Sequence, residues 1–206
     1  MRRILFVLGL AYSFSISTAA LAADVTVRLK TAAGQPVRDA VVTVYPAGGV
    51  SGAYKPDGPL RVLQKDIQFE PFVMVVPVGA EVAFPNLDKV RHHVYSFSAA
   101  KKFQLKLYGR EETRTVKFDT AGVVPLGCNI HDAMAAFVKV VDTPFAAKTD
   151  ASGQAVVRGA PAGAAVVRIW QPYLKGPGNE VVRNVTLPHE GGVVQDIVVD
   201  LRTYAR

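Results

Sequence analysis

Three kinds of metal ligand fall within one short stretch, Cys128-Asn129-Ile130-His131-Asp132-Ala133-Met134: a thiol, an imidazole and a thioether. Thiolates and thioethers are soft donors and imidazole is borderline, so together they suit soft or borderline transition metals. A cluster of this kind needs at least one more donor from elsewhere in the chain. Taken singly, a cysteine, a histidine and a methionine are more often an inert buried thiol, a surface ring and a core filler. The spacing raises the question of what else points at them.

The upstream run Phe84-Pro85-Asn86-Leu87-Asp88-Lys89-Val90-Arg91-His92-His93-Val94-Tyr95-Ser96 supplies two candidates, a histidine pair opening a strand-like segment. Two histidines and one cysteine with a long axial methionine form the ligand set of blue-copper electron-transfer centres. At this point a family resemblance becomes specific. The upstream run resembles the F-x-N…H-x-V element of plastocyanin-type cupredoxins, and Cys128-x-x-His131-x-x-Met134 is similar to the short ligand loop of their amicyanin-like members. Gly122 through Cys128 resembles the G-x5-C lead-in, and the likeness extends over about residues 67–141. The chain as a whole resembles the plastocyanin-like periplasmic proteins labelled methylamine-utilisation proteins.

The resemblance implies a copper ion cycling between Cu(I) and Cu(II), held by His92, Cys128, His131 and Met134. It also implies a single-electron carrier rather than an enzyme, with a redox partner such as a cytochrome c or a periplasmic dehydrogenase. Copper storage, delivery or sensing on the same ligands is the alternative, as is an envelope binding module with a structural metal. Which histidine of the pair faces the sulfur stays open. Strand neighbours point to opposite faces: His93 shares its face with Tyr95 and Phe97, an apolar pattern that favours it, whereas the family pattern favours His92. The resemblance further implies that Asn86 ties its loop to the ligand loop, while a local Asx turn at Asn86 and Asp88 is the competing expectation. The Arg91 carbonyl falls where some cupredoxins offer a weak axial oxygen. Two departures stand out: Gly127 precedes the cysteine where the family often has an aromatic residue, and Pro125 interrupts the strand before it, which implies an edge or a bulge.

These residues need a rigid frame, and the chain reads as all-β. Val25 to Leu29 alternates apolar and polar residues, Ala33-Gly34-Gln35-Pro36 marks a turn, and Ala40 to Tyr45 returns. Short strands are predicted at 62 and 67–69, 72–76, 81–84, 92–97, 103–107, 115–118, 123–126 and 136–141, then at 155–157, 166–170, 181–187 and 193–201. Regular short strands with turn signals between them argue for sandwiches. The expected architecture is a cupredoxin Greek-key β-sandwich plus a small β-sandwich resembling transthyretin and carboxypeptidase-regulatory domains. The boundaries expected are a first part of the small sandwich at 23–48, a Gly/Pro-rich linker at 49–60, the cupredoxin unit at 61–141 and the second part of the small sandwich at 142–206. His189, in a turn-rich segment, reads as a loop residue, and Trp170 as the filler of a core edge.

Met1-Arg2-Arg3, an apolar run from Ile4 to Leu10 and a small-residue stretch ending at Ala22 form the three parts of a secretory signal peptide at 1–22. The periplasm is the expected compartment, with no membrane span in the mature chain. Its 206 residues carry one cysteine, which has no partner for an intrachain disulfide. An odd cysteine in an exported chain suggests an intermolecular bridge or a reactive thiol, and metal ligation is the third explanation. The net charge of +7 falls to +5 without Arg2 and Arg3, which favours acidic partners. Nucleic acid is not expected, because no helix-turn-helix, zinc finger or dense basic stripe accompanies the charge.

Overall fold

The computed structural model describes residues 22–203. The expected signal peptide lies outside the described residues apart from Ala22. The described chain is all-β, with one short 3-10 turn at Pro177–Asn179, and no helix in it is long and apolar enough to cross a membrane.

Alternation of side chains explains the first strand, β1 (Ala22–Thr31), in which Ala23, Val25, Val27 and Leu29 are buried and their neighbours are not. β1 lies in the middle of a three-stranded sheet. It runs antiparallel to β13 (Gln154–Pro161) and parallel to β16 (Gly192–Val199). Opposite stands a four-stranded sheet ordered β12 (Ala146–Lys148), β2 (Val41–Pro46), β14 (Gly163–Trp170) and β15 (Glu180–Leu187). Between the two sheets lies a core that includes Val25, Val27, Leu29, Val42, Val44, Val157, Val167, Ile169 and Ile197. The strand at 146–148 carries the sequence Ala-Ala-Lys, which lacks the alternation that marks the others, and sequence reading does not anticipate it.

All strands between residues 63 and 141 pair among themselves. A five-stranded sheet is ordered β5 (Val73–Pro77), β11 (Ala135–Val141), β10 (Gly122–Gly127), β7 (His92–Phe97) and β8 (Lys102–Tyr108). Two antiparallel pairs complete the unit: β6 (Ala80–Pro85) with β9 (Thr113–Phe118), and β3 (Leu63–Lys65) with β4 (Gln68–Glu70). Their shared core holds Phe84, Phe118, Tyr108, Val94, Val138, Cys128 and Met134. The position of Pro125 is informative. β10 is an interior strand in the sheet order, yet its register with β7 is confined to Gly127 opposite Tyr95. Beside Pro125 the β7 side has no ladder to lose, so the missing N–H does little harm.

A seam joins the two cores. Val41, Val73, Val75, Val141 and Trp170 are buried there together, and Trp170 packs edge-on against Phe137 at 5.8 Å between ring centroids. Lys148 adds a polar clasp, its Nζ donating to the Val73 carbonyl at 2.9 Å while pairing with Asp39 at 3.0 Å.

Candidate metal centre

The ligand loop is the connection from β10 to β11, closed by the antiparallel pair Gly127 and Ala135. Two consecutive turns carry the chain between them, and the Met134 N–H donates to the His131 carbonyl at 2.9 Å. Cys128 and Met134, at the base of the loop, are buried, whereas Asn129, Ile130, Asp132 and Ala133 face solvent and His131 is half-buried. The polar turn residues therefore stay in water while the two sulfur atoms enter the core.

His92 opens β7 on the adjacent strand. It is fully buried, together with Val94 and Ser96, while Phe97 is 64% exposed. This reverses the apolar pattern that favoured His93. His93, Tyr95 and Phe97 form an outward ladder of rings, with centroids 5.7 and 5.2 Å apart. Tyr95 has its own reason to lie outside: its ring fills the space where a side chain on Gly127 would begin, 2.8 Å from an ideal Cβ. The aromatic ring missing before the cysteine is thus laid against that position from the neighbouring strand.

Three donor atoms converge. His92 Nδ1 is 3.2 Å from His131 Nδ1, and Cys128 Sγ is 3.9 Å from the first and 3.6 Å from the second. A point equidistant from corners with those separations lies about 2.1 Å from each, within the usual range of about 2.0–2.3 Å for transition-metal bonds to nitrogen and sulfur. Among the described residues these three side chains form a group close enough to share one ion. Their chemistry also fits. With the His92 ring proton committed to Asp88, its Nδ1 lone pair, the Cys128 sulfur and the His131 nitrogen face one another, a donor set that a single soft or borderline cation can bridge. Met134 is buried in the same core cluster as Cys128.

Asp88 is the residue that sequence reasoning undervalued. Its Oδ2 accepts from His92 Nε2 at 2.7 Å, which leaves Nδ1 as the lone-pair nitrogen facing the sulfur. A carboxylate on the far nitrogen is the usual device for fixing a ligating histidine's tautomer and orientation. The same carboxylate accepts backbone N–H groups from Asp66 at 2.7 Å and Ile67 at 3.0 Å. Burial works against its ionisation, but the bonds from Ile67, His92 and Asp66 outweigh that and hold the carboxyl below its ordinary value. The spacing Asp-x-x-x-His was the available signal.

Asn86 is buried and does form the Asx turn, its Oδ1 accepting the Asp88 N–H at 2.8 Å. Its Nδ2 donates to the carbonyls of Val90 and Tyr108 at 2.9 and 3.0 Å. Asn86 therefore braces the loop ahead of His92 against β8, and the expected tie to the ligand loop is replaced by this one. Behind it, the buried Tyr108 hydroxyl donates to the Phe84 carbonyl at 2.7 Å and accepts from Gln64. His189 is exposed and lies in the turn between β15 and β16.

No family model matches the chain, and no curated protein does. Among solved structures, a purple cupredoxin from Nitrosopumilus maritimus aligns at 20% identity over 39% of this chain and 98% of its own, with a TM-score of 0.36. A reduced amicyanin variant aligns at 22% identity over 50% of this chain and 99% of its own, with a TM-score of 0.38. The copper-containing nitrite reductase from Thermus scotoductus SA-01 aligns at 22% identity over 56% of this chain and 28% of its own, with a TM-score of 0.39.

Proposed function

We propose that this chain is a periplasmic copper-binding protein of cupredoxin type that carries single electrons and is not an enzyme. The observation that carries the reading is the approach of one thiol sulfur to two imidazole nitrogens, at 3.6 and 3.9 Å, from two separate parts of the sequence. A soft sulfur and two imidazoles with a thioether in the same core favour copper over hard cations. His92, Cys128 and His131 would hold the ion with Met134 as the axial donor, and copper there would supply one-electron chemistry between Cu(I) and Cu(II).

The protein's own part is to hold that geometry and to expose one edge of it. His92, Cys128 and Met134 are buried away from water, and half-buried His131 forms the edge through which an electron would enter or leave. Leu87, Val90 and Ile130, which are 46%, 45% and 48% exposed, put apolar side chains on the two loops that carry the ligands. Small apolar patches suit weak, short-lived redox encounters. Lys89 and Arg91 beside them favour an acidic redox partner, for which a cytochrome c or a periplasmic dehydrogenase is the expected class.

The domain division belongs to the same proposal. Residues 61–141 form the cupredoxin unit, inserted after the linker 49–60 into a transthyretin-like or carboxypeptidase-regulatory-like sandwich made of 23–48 and 142–206, in a protein of the methylamine-utilisation type. Grouping of the buried side chains into two cores supports it.

The test is direct. Copper(II) added to the purified mature protein should give an intense visible thiolate-to-copper band, and Cys128→Ser should abolish it completely. Absence of the band in the native protein would overturn the reading.

A further inference from the structure

The tip of the β3–β4 hairpin is built against its own sequence. Asp66 and Ile67, the two residues between the strands, both have left-handed backbones, with φ of 53° and 56°. A two-residue hairpin turn of this hand ordinarily takes Asn or Asp followed by Gly, and a β-branched residue in that region is an outlier. Packing does not explain the choice, because Ile67 is 45% exposed. Such strain persists where the surroundings over-determine it, and it gathers at functional sites.

Here the surroundings are a single carboxylate. The turn aims two successive N–H groups at Asp88, Asp66 reaching Oδ1 at 2.7 Å and Ile67 reaching Oδ2 at 3.0 Å. Successive N–H groups in a turn make a natural anion cradle. Oδ2 is also the atom that accepts from His92 Nε2 at 2.7 Å. Two further bonds fasten the hairpin alongside: the Leu87 N–H of the same loop donates to the Gln64 carbonyl at 2.9 Å, and Gln64 Nε2 donates to the Phe84 carbonyl at the end of β6 at 3.2 Å.

We propose that the Asp66-Ile67 turn is a positioning element of the metal centre: its two N–H groups fix the Asp88 carboxylate and, through it, the tautomer and ring orientation of His92. This rests on the reading of the cluster as a copper site. The hairpin precedes every ligand in the chain and makes no hydrogen bond to any of them, yet it determines which nitrogen of His92 offers a lone pair.

The experiment reads the tautomer in metal-free, nitrogen-15-labelled protein by NMR and copper affinity by competition with a chromophoric Cu(I) chelator. Native protein should show His92 in the single Nε2–H form. Ile67→Pro deletes one N–H and forces φ to about −65°, so it should mix the tautomers and weaken copper binding about tenfold or more. The paired replacement Asp66→Asn with Ile67→Gly keeps both N–H groups and the hand of the turn, and should restore native behaviour. If Ile67→Pro fails to fold, Asp88→Asn probes the link from the other end. It should speed hydrogen exchange of the Asp66 and Ile67 amides about tenfold or more and cost about 10–100-fold in copper affinity. A single His92 tautomer with native affinity in Ile67→Pro, or unchanged exchange in Asp88→Asn, would overturn the proposal. A protein that binds no copper but shows the coupled tautomer would defeat the functional reading alone.

Discussion

The two cores of this chain differ in what they admit. In the one enclosed by β1, β13 and β16 and their facing sheet the fully buried side chains are all aliphatic, valine above all, with alanine, leucine and isoleucine, and Phe145 packs at its margin. Its neighbouring buried polar groups, such as Thr43 and Thr149, are short side chains that each tie one strand or loop to another distant in sequence. The other core mixes Phe69, Phe84, Phe118 and Tyr108 with Cys128 and Met134, and around it Gln64, Asn86, His92 and Ser96 are buried. Gln64, Asn86 and His92 are linked through Tyr108 and Asp88 into a set that leads toward the cluster, in which Gln64 Oε1 is left without a partner among the described residues. A buried polar network restricts how its members can be arranged, so the first core serves as frame and the second accepts constraints that a frame does not need.

The comparison breaks most visibly through large-to-small substitutions. Phe84→Ala should cost about 3–5 kcal/mol and weaken copper binding as well, because Phe84 packs in the ligand-bearing core. Leu29→Ala should cost about 2–5 kcal/mol and leave copper affinity unchanged. Urea denaturation with chelator competition measures both, and an equal loss of affinity in the two variants would merge the regions. Copper at 100 times its Kd should then add about 2.7 kcal/mol. Hydrogen exchange should place that gain on amides of β7, β10 and β11, and an equal gain on β1 and β13 would mean one cooperative unit.

A smaller effect sharpens the aliphatic side. The buried Thr149 hydroxyl donates to the Val37 carbonyl at 2.8 Å and accepts the Ala40 N–H at 2.9 Å. Thr149→Val should cost about 1–3 kcal/mol with no change in the visible spectrum. The smallest effect is alkaline. Burial, above all, pushes Tyr108 from 10.0 up to about 12, and burial with the Asp142 hydrogen bond does the same for Tyr45. Both groups favour the folded state fully below pH 10.0, and that contribution is lost as pH rises toward about 12. Tyr108→Phe and Tyr45→Phe should each flatten stability across that window in denaturation at stepped pH, and Tyr108→Phe alone should alter the copper spectrum.

Legibility in the sequence followed the same divide. Alternation located β1 because a frame strand has one face to bury, and the ligand loop was readable because Cys, His and Met carry their chemistry in their names. What escaped was set by tertiary context. The apolar pattern turned His93 inward because Tyr95 and Phe97 look like core, yet Tyr95 is spent covering Gly127 from outside. Asp88 read as a turn former, whereas the turn is made by Asn86 and the Asp88 carboxylate takes its N–H groups from a hairpin more than twenty residues earlier. The turn at Asp66 and Ile67 carries no glycine or asparagine to announce it.

The parallel pairing of β1 with β16 sets an order of assembly. Among the described strands, β1 comes first and its neighbour β16 last, so the small sandwich stays open until the strand at 192–199 is made. Residues 63 to 141 wait for nothing outside themselves to pair. As the polypeptide emerges, the strands that bring His92, Cys128 and His131 together can therefore pair while β1 still has a bare edge, and a chain cut short before residue 192 would keep those strands and lose the partner that seals β1.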